Sequence, residues 1–181
     1  PSSALPSVFE SFTPRWVKEK EDWLLRFDGV SSYLIFPRET IPCGAFTLEF
    51  EFRPARLNDQ VLFRHGNIYQ GSLILTIRDG GKLVAYFSSF NDETAISKSR
   101  FFETNLEIIP DTWNKLKITY DLNKITFALN DKAKSFPYNA RAFYGTPSSF
   151  GGDATPGKWL TSQMKFFKGD LKSIRFYHNV D

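Results

Sequence analysis

Apolar residues fall at every second position through much of this chain. In Phe46-Thr47-Leu48-Glu49-Phe50-Glu51-Phe52-Arg53, the rings and Leu48 take one side and Thr47, Glu49, Glu51 and Arg53 the other. The same alternation runs through Leu116, Ile118 and Tyr120, and again through Ile125, Phe127 and Leu129, with lysines and threonines between them. A period of two with one apolar side predicts strands that bury one face. Asp121-Leu122-Asn123 separates the last two runs. Asp caps its own backbone and Asn tolerates a left-handed residue, so a hairpin turn is predicted there. An isolated hairpin is not stable in water, so a second layer must come from the rest of the chain.

Further strands are predicted at Trp23–Phe27, Tyr33–Phe36, Val61–Phe63, Ser72–Arg78, Lys82–Ser88 and Leu171–His178, the fourth and fifth of these joined across Asp79-Gly80-Gly81. Residues Ser89 to Glu103 read as a long excursion or a weak strand. Trp16 to Asp22 reads as a short helical turn or a covering loop. No amphipathic helix of ordinary length occurs. The pattern predicts an all-β fold, an antiparallel two-sheet β-sandwich. Residues 1–22 form a lead-in segment and 23–181 the domain.

The totals sharpen this. A chain of 181 residues, 41% hydrophobic, is long enough for one domain with a real core. Aromatics make up 17%, more than a core needs, so some rings are expected to be left for a ligand. The net charge of +3 is spread along the chain without a Lys/Arg block, which argues against nucleic acid as a partner. Cys43 stands alone, which excludes an internal disulfide and a cysteine-based zinc site. There is no initiating Met and no signal peptide, as expected of a processed chain or a domain cut from a longer one. No apolar run is long enough for a membrane span.

A series of short motifs along the chain carries the resemblance to a known family. Phe27-Asp28-Gly29 precedes Tyr33-Leu34-Ile35; Ala45 to Phe50 follows, then Val61-Leu62-Phe63. Trp113 leads to Tyr120-Asp121, Phe150-Gly151-Gly152 comes later, and Phe167-x-Gly169-Asp170-Leu171 precedes Ile174 to Tyr177. With these motifs the chain resembles the laminin-G-like branch of the concanavalin A-like lectin/glucanase superfamily. One departure is Asn130-Asp131, where the family often has Asn-Gly. The resemblance implies a jelly roll of two curved sheets, often appended to secreted enzymes that degrade polysaccharides. It implies sugar binding on a sheet face or at rim loops and, in some members, calcium. The expected location is therefore extracellular, periplasmic or on the cell surface, with a catalytic domain in the same parent chain as a further partner.

Candidate chemistry lies mainly in the irregular stretches. Tyr138, Tyr144, Phe150 and Trp159, accompanied by Arg141, offer rings for the C–H face of a sugar and a guanidinium for its hydroxyls. Arg64, His65, Asn67 and Tyr69 are expected in a second loop of similar composition. Arg and Lys at such a site favour acidic or sulfated chains. The bland alternative for the rings is that they plug the ends of the sandwich. Trp113 and Trp23 are assigned to the core, and His178 to a structural or surface role. Asp28 and Asp170, each beside a glycine at a strand end, are two turn aspartates or else ligands of a structural calcium.

Two catalytic readings compete with non-catalytic sugar binding. Glu49 and Glu51 share a strand face and could act as acid and base on a glycosidic bond, but the run continues to Arg53 rather than to a third acid. Lys165-Phe166-Phe167-Lys168-Gly169 partly matches a strand of jelly-roll alginate lyases, without its tyrosine and without a Gln-x-His elsewhere. The remaining alternative is a structural or protein-contact module that binds no sugar.

Overall fold

A computed structural model describes residues 13–37, 41, 44–67, 71–91, 96–139, 147–152 and 166–178. The first strands are β1 (Arg15–Glu19), β2 (Asp22–Asp28), β3 (Leu34–Phe36) and β4 (Phe46–Pro54). Then come β5 (Gln60–Asn67), β6 (Gly71–Arg78), β7 (Lys82–Asn91) and β8 (Ile96–Glu107). The chain closes with β9 (Asn114–Tyr120), β10 (Lys124–Leu129), β11 (Lys132–Pro137), β12 (Ser148–Phe150) and β13 (Lys168–Tyr177). The only helical piece among the described residues is one 3-10 turn at Asp79–Gly81. Among them, no helix is long and apolar enough to cross a membrane.

The strands form two antiparallel sheets. One runs β1-β2-β13-β4-β9-β10-β11, the other β3-β12-β5-β6-β7-β8. The expected two-sheet sandwich is therefore present. Its middle is packed with rings from both layers. Phe50 of β4 meets Phe63 of β5 at 5.3 Å between centroids, and Phe36 of β3 meets Phe176 of β13 at 5.2 Å. Near one end, Phe27, Phe150 and Phe167 are mutually within 5.3–5.7 Å at tilted or edge-on angles, an arrangement favoured by the ring quadrupole. Tyr120 and ten phenylalanines are sealed from water, so the aromatic surplus goes mostly into the core.

The central hairpin forms as its pattern predicts, with Leu116 opposite Leu129, Ile118 opposite Phe127 and Tyr120 opposite Ile125. Asp121 Oδ1 accepts the N–H groups of Asn123 and Lys124 at 2.9 and 2.8 Å. The left-handed residue is Leu122, with φ of 74°, rather than Asn123. Farther on, Asn130 takes φ of 52° and its side-chain oxygen accepts the Lys115 N–H at 2.9 Å. Asn thus fills the turn position where the family often has Asn-Gly.

Two local expectations give way and one open alternative is resolved. Trp16 to Glu19 belongs to β1, paired with β2 through Trp16 and Leu25, rather than to a helical turn or loop. The open alternatives for Ser89 to Glu103 resolve into the ends of β7 and β8, which pair in register. Trp23 is not in the core but 59% exposed, and Trp16 is 65% exposed. Both share the side of Leu25 that packs on the core. They lie on a flank where the seven-stranded sheet overhangs its partner layer. At the opposite flank, β11 turns Lys132 and Lys134 to the same inner side, opposite Leu129 and Phe127.

Candidate functional site

On the outer face of the seven-stranded sheet, β13 places Asp170 between two guanidinium groups. Gly169 makes this possible. It has φ of 151°, and a Cβ there would overlap the Arg53 carbonyl. Arg26 Nε donates to Asp170 Oδ1 at 2.8 Å and Arg53 Nη2 to Oδ2 at 2.7 Å, with Asp170 nearly buried. Burial alone would raise the Asp170 pKa. The hydrogen bonds from Arg26 and Arg53 outweigh it and hold the carboxyl below its usual range. Arg53 also reaches Glu19 at 2.5 Å and lies 4.8 Å from the Trp113 ring centroid. Trp113 is thus half-buried under a guanidinium rather than part of the core.

Asp28 is a turn aspartate. Its Oδ1 accepts the N–H groups of Val30, Ser31 and Ser32 at 2.8–3.0 Å, and the Ser31 and Ser32 hydroxyls complete the shell. Burial pushes its pKa up, and the backbone donors, with the Ser32 hydroxyl, pull it well below the usual carboxylate range. A structural calcium does not fit these two residues. The Asp28 oxygens already face donors, and Asp170 is flanked by two positive groups that repel a cation. No cluster of three potential metal ligands occurs among the described residues.

Most of the other expected site residues are in the interior or outside the described residues. Phe150 is fully buried on β12, and Tyr138 is 7% exposed, 4.4 Å from Phe87 in an edge-on contact. Both expectations of sugar stacking are corrected, because the rings plug the sandwich. Arg64 and His65 lie in β5, not in a loop, and are 4% and 0% exposed. His65 Nδ1 and the Ser148 hydroxyl share a 2.7 Å hydrogen bond, and burial lowers the His65 pKa to about 4. The Asn67 backbone ends β5, while its side chain lies outside the described residues, as do Tyr69, Arg141, Tyr144 and Trp159. His178 is exposed after β13.

Glu49 and Glu51 line a shallow depression of about 330 Å³ with Lys115, Lys117, Ser173 and Arg175. Lys117 Nζ is 3.5 Å and Arg175 Nη1 3.7 Å from Glu49, and the Tyr177 hydroxyl donates to it at 3.5 Å. The two carboxylates sit side by side on one strand, about 6.5–7 Å apart by strand geometry. Glycoside hydrolysis needs a carboxyl on each side of the scissile bond. This arrangement is a solvated strand face balanced by cations from neighbouring strands.

A different groove has the composition that the loops were expected to supply. It has a volume of about 470 Å³ and lies on the outer face of the six-stranded sheet, where β6, β7 and β8 run together. A bulge opens it. Lys82 pairs with Glu107 and Val84 with Glu103, so Thr104, Asn105 and Leu106 stand opposite Leu83 alone. Asn105 takes φ of 55°, and buried Thr104 fixes the bulge by donating to the Leu83 carbonyl at 2.6 Å and accepting the Leu106 N–H at 3.1 Å. At one end Phe101 is 53% exposed and packs against Tyr86 of β7 at 4.9 Å. Around it stand Glu103, Asn105, Lys82 and the Arg78–Asp59 pair, with Arg78 Nη1 3.3 Å from Asp59 Oδ2. The sequence did show Phe101-Phe102, but alternation alone does not tell which ring faces in. Phe102 is buried and Phe101 is not.

Residues 28–180 match the family described as the concanavalin A-like lectin/glucanases superfamily. No curated protein matches the sequence. Among solved structures, domain 4 of AbnA, a GH43 extracellular arabinanase from Geobacillus stearothermophilus in complex with arabinotriose, is similar with a TM-score of 0.70. That likeness has 15% identity and covers 93% of this chain and 76% of the other. Mouse laminin alpha1 chain domains LG4-5 give a TM-score of 0.63 at 19% identity, over 83% of this chain and 40% of theirs, so this chain spans less than half of that one. The Ruminococcus gnavus IT-sialidase CBM40 bound to alpha2,3 sialyllactose gives 0.58 at 14% identity, over 78% and 79% of the two chains. At such identities the likeness is one of fold. The two antiparallel sheets, the Gly169-Asp170 junction and the sequence match over most of its length agree: the chain belongs to the concanavalin A-like lectin/glucanase superfamily, as a laminin-G-like domain.

Proposed function

We propose that this domain is a non-catalytic carbohydrate-binding module that serves a secreted or cell-surface polysaccharide-degrading protein. The observation that carries the reading is the groove at the β7–β8 bulge. A water-exposed ring on a rigid strand, backed by a second ring, offers a face for the C–H side of a sugar. Carboxylate, amide and cationic groups surround it at the level of the hydroxyls. Solved structures of the same fold bound to arabinotriose and to sialyllactose support a saccharide as the partner. Glu49 is engaged by two cations, and neither it nor Glu51 faces a carboxyl across a cleft, which favours binding over turnover.

Affinity electrophoresis of the domain against a panel of soluble polysaccharides tests the reading, together with reducing-sugar release from the same panel. Retardation by at least one polymer without product release is the expected result. Release that disappears in Glu49→Gln or Glu51→Gln would replace it with hydrolysis.

A further inference from the structure

We infer that the groove at the β7–β8 bulge selects uncharged saccharide chains over acidic or sulfated ones. This rests on the reading of the domain as a sugar binder and narrows the ligand of that same groove.

Among the described residues, the wall beside Phe101 carries both signs of charge in equal number. Arg78 and Lys82 are the cations, Asp59 and Glu103 the carboxylates. Arg78 is already tied to Asp59, so its charge is answered within the wall. A sugar hydroxyl both donates and accepts, and it can bridge a carboxylate to an ammonium or an amide. Asp59 and Glu103 accept from it, Lys82 donates to it, and Asn105 does either. A sulfate or uronate oxygen only accepts. Set against this wall it could gain from Arg78 only by breaking the pair with Asp59, and the attraction of Lys82 would be opposed by the like charge of Glu103. The exposed face of Phe101 adds an apolar contact that does not depend on charge. The mild excess of positive charge over the whole chain therefore misleads about this groove, because its described residues carry no net charge.

The experiment measures affinity for neutral polymers (arabinan, xylan, mixed-linkage β-glucan, mannan) and for acidic ones (heparin, alginate, polygalacturonate). It does so at ~0.05 and ~0.5 M NaCl, where surface charges are weakly and strongly screened. At least one neutral polymer should bind, with an affinity that changes less than about twofold between the two salts. Phe101→Ala should weaken it by about tenfold or more. The double variant Asp59→Asn, Glu103→Gln should gain affinity for heparin that fades at the higher salt. Preferential, salt-sensitive binding of an acidic polymer by the wild-type domain would overturn the inference and leave the sugar-binding reading standing. Full neutral binding retained in Phe101→Ala would move the site elsewhere and also overturn it. No binding to any polymer would sink both.

Discussion

At the scale of single residues, two positions carry a local cost that can be measured. Leu122 holds φ of 74° at the tip of the central hairpin and is 44% exposed. A left-handed conformation costs an L side chain about 1–2 kcal/mol, and Asn bears it better. Leu122→Asn should therefore raise stability by about 1 kcal/mol, read as a higher urea midpoint, and a lower midpoint would refute this account of the turn. His65 is the second. Burial lowers its pKa from 6.5 to about 4, so the folded state keeps it neutral while the unfolded chain takes up a proton below pH 6.5. Its contribution is present above the unfolded pKa and is lost as pH falls toward the folded one. Between pH 7 and 5 the loss is about 2 kcal/mol from this one group. Urea unfolding of the wild type and of His65→Gln at both pH values isolates it, because the variant should show a shallower slope whatever its absolute stability. Arg64, Gly66 and Asn67 around that histidine suggest a loop and hence a sugar contact. Its pairing with Ser148 of β12 is a long-range fact that local composition does not encode.

At the scale of elements, the Gly169-Asp170 junction fastens β13 to both of its neighbours. Asp170→Asn would leave Arg26 and Arg53 side by side without their shared carboxylate. The expected cost is about 2–3 kcal/mol, below that of a fully buried pair because Arg26 is half exposed. Glu19→Gln, at the exposed end of the same chain of bonds, should cost less. Equal effects from the two would mean that burial of Asp170 contributes nothing. Gly169→Ala should cost about 2–4 kcal/mol, from its backbone angle and from the clash with Arg53. Strands that bury one whole face could be read directly from the sequence. β4 is the clearest, with Phe46, Leu48, Phe50 and Phe52 all buried. β1 could not, since an edge strand whose inner side is only partly covered has no reason to alternate cleanly. The groove was equally hidden. It exists because β8 carries two more residues than β7 between paired positions, and this appears only once the strands are aligned.

For the whole molecule, the two flanks of the seven-stranded sheet are finished differently. The β11 flank sets Lys132 and Lys134 on the inner side, a charged border that discourages another strand from adding to the edge. Replacing both with Val should let the edge recruit a second copy. Sedimentation velocity would then show concentration-dependent association beyond that of the wild type, and an unchanged profile would show that the lysines have no such role. The β1 flank has Trp16 and Trp23 instead, both open to water. These two indoles already emit from an aqueous setting in the native domain, and the third described tryptophan, Trp113, lies beneath a guanidinium. Their fluorescence colour will shift little on denaturation, and iodide will quench it before the fold is lost. Far-ultraviolet dichroism of the strands, rather than the emission of Trp16 and Trp23, is the optical signal that will report the state of this domain.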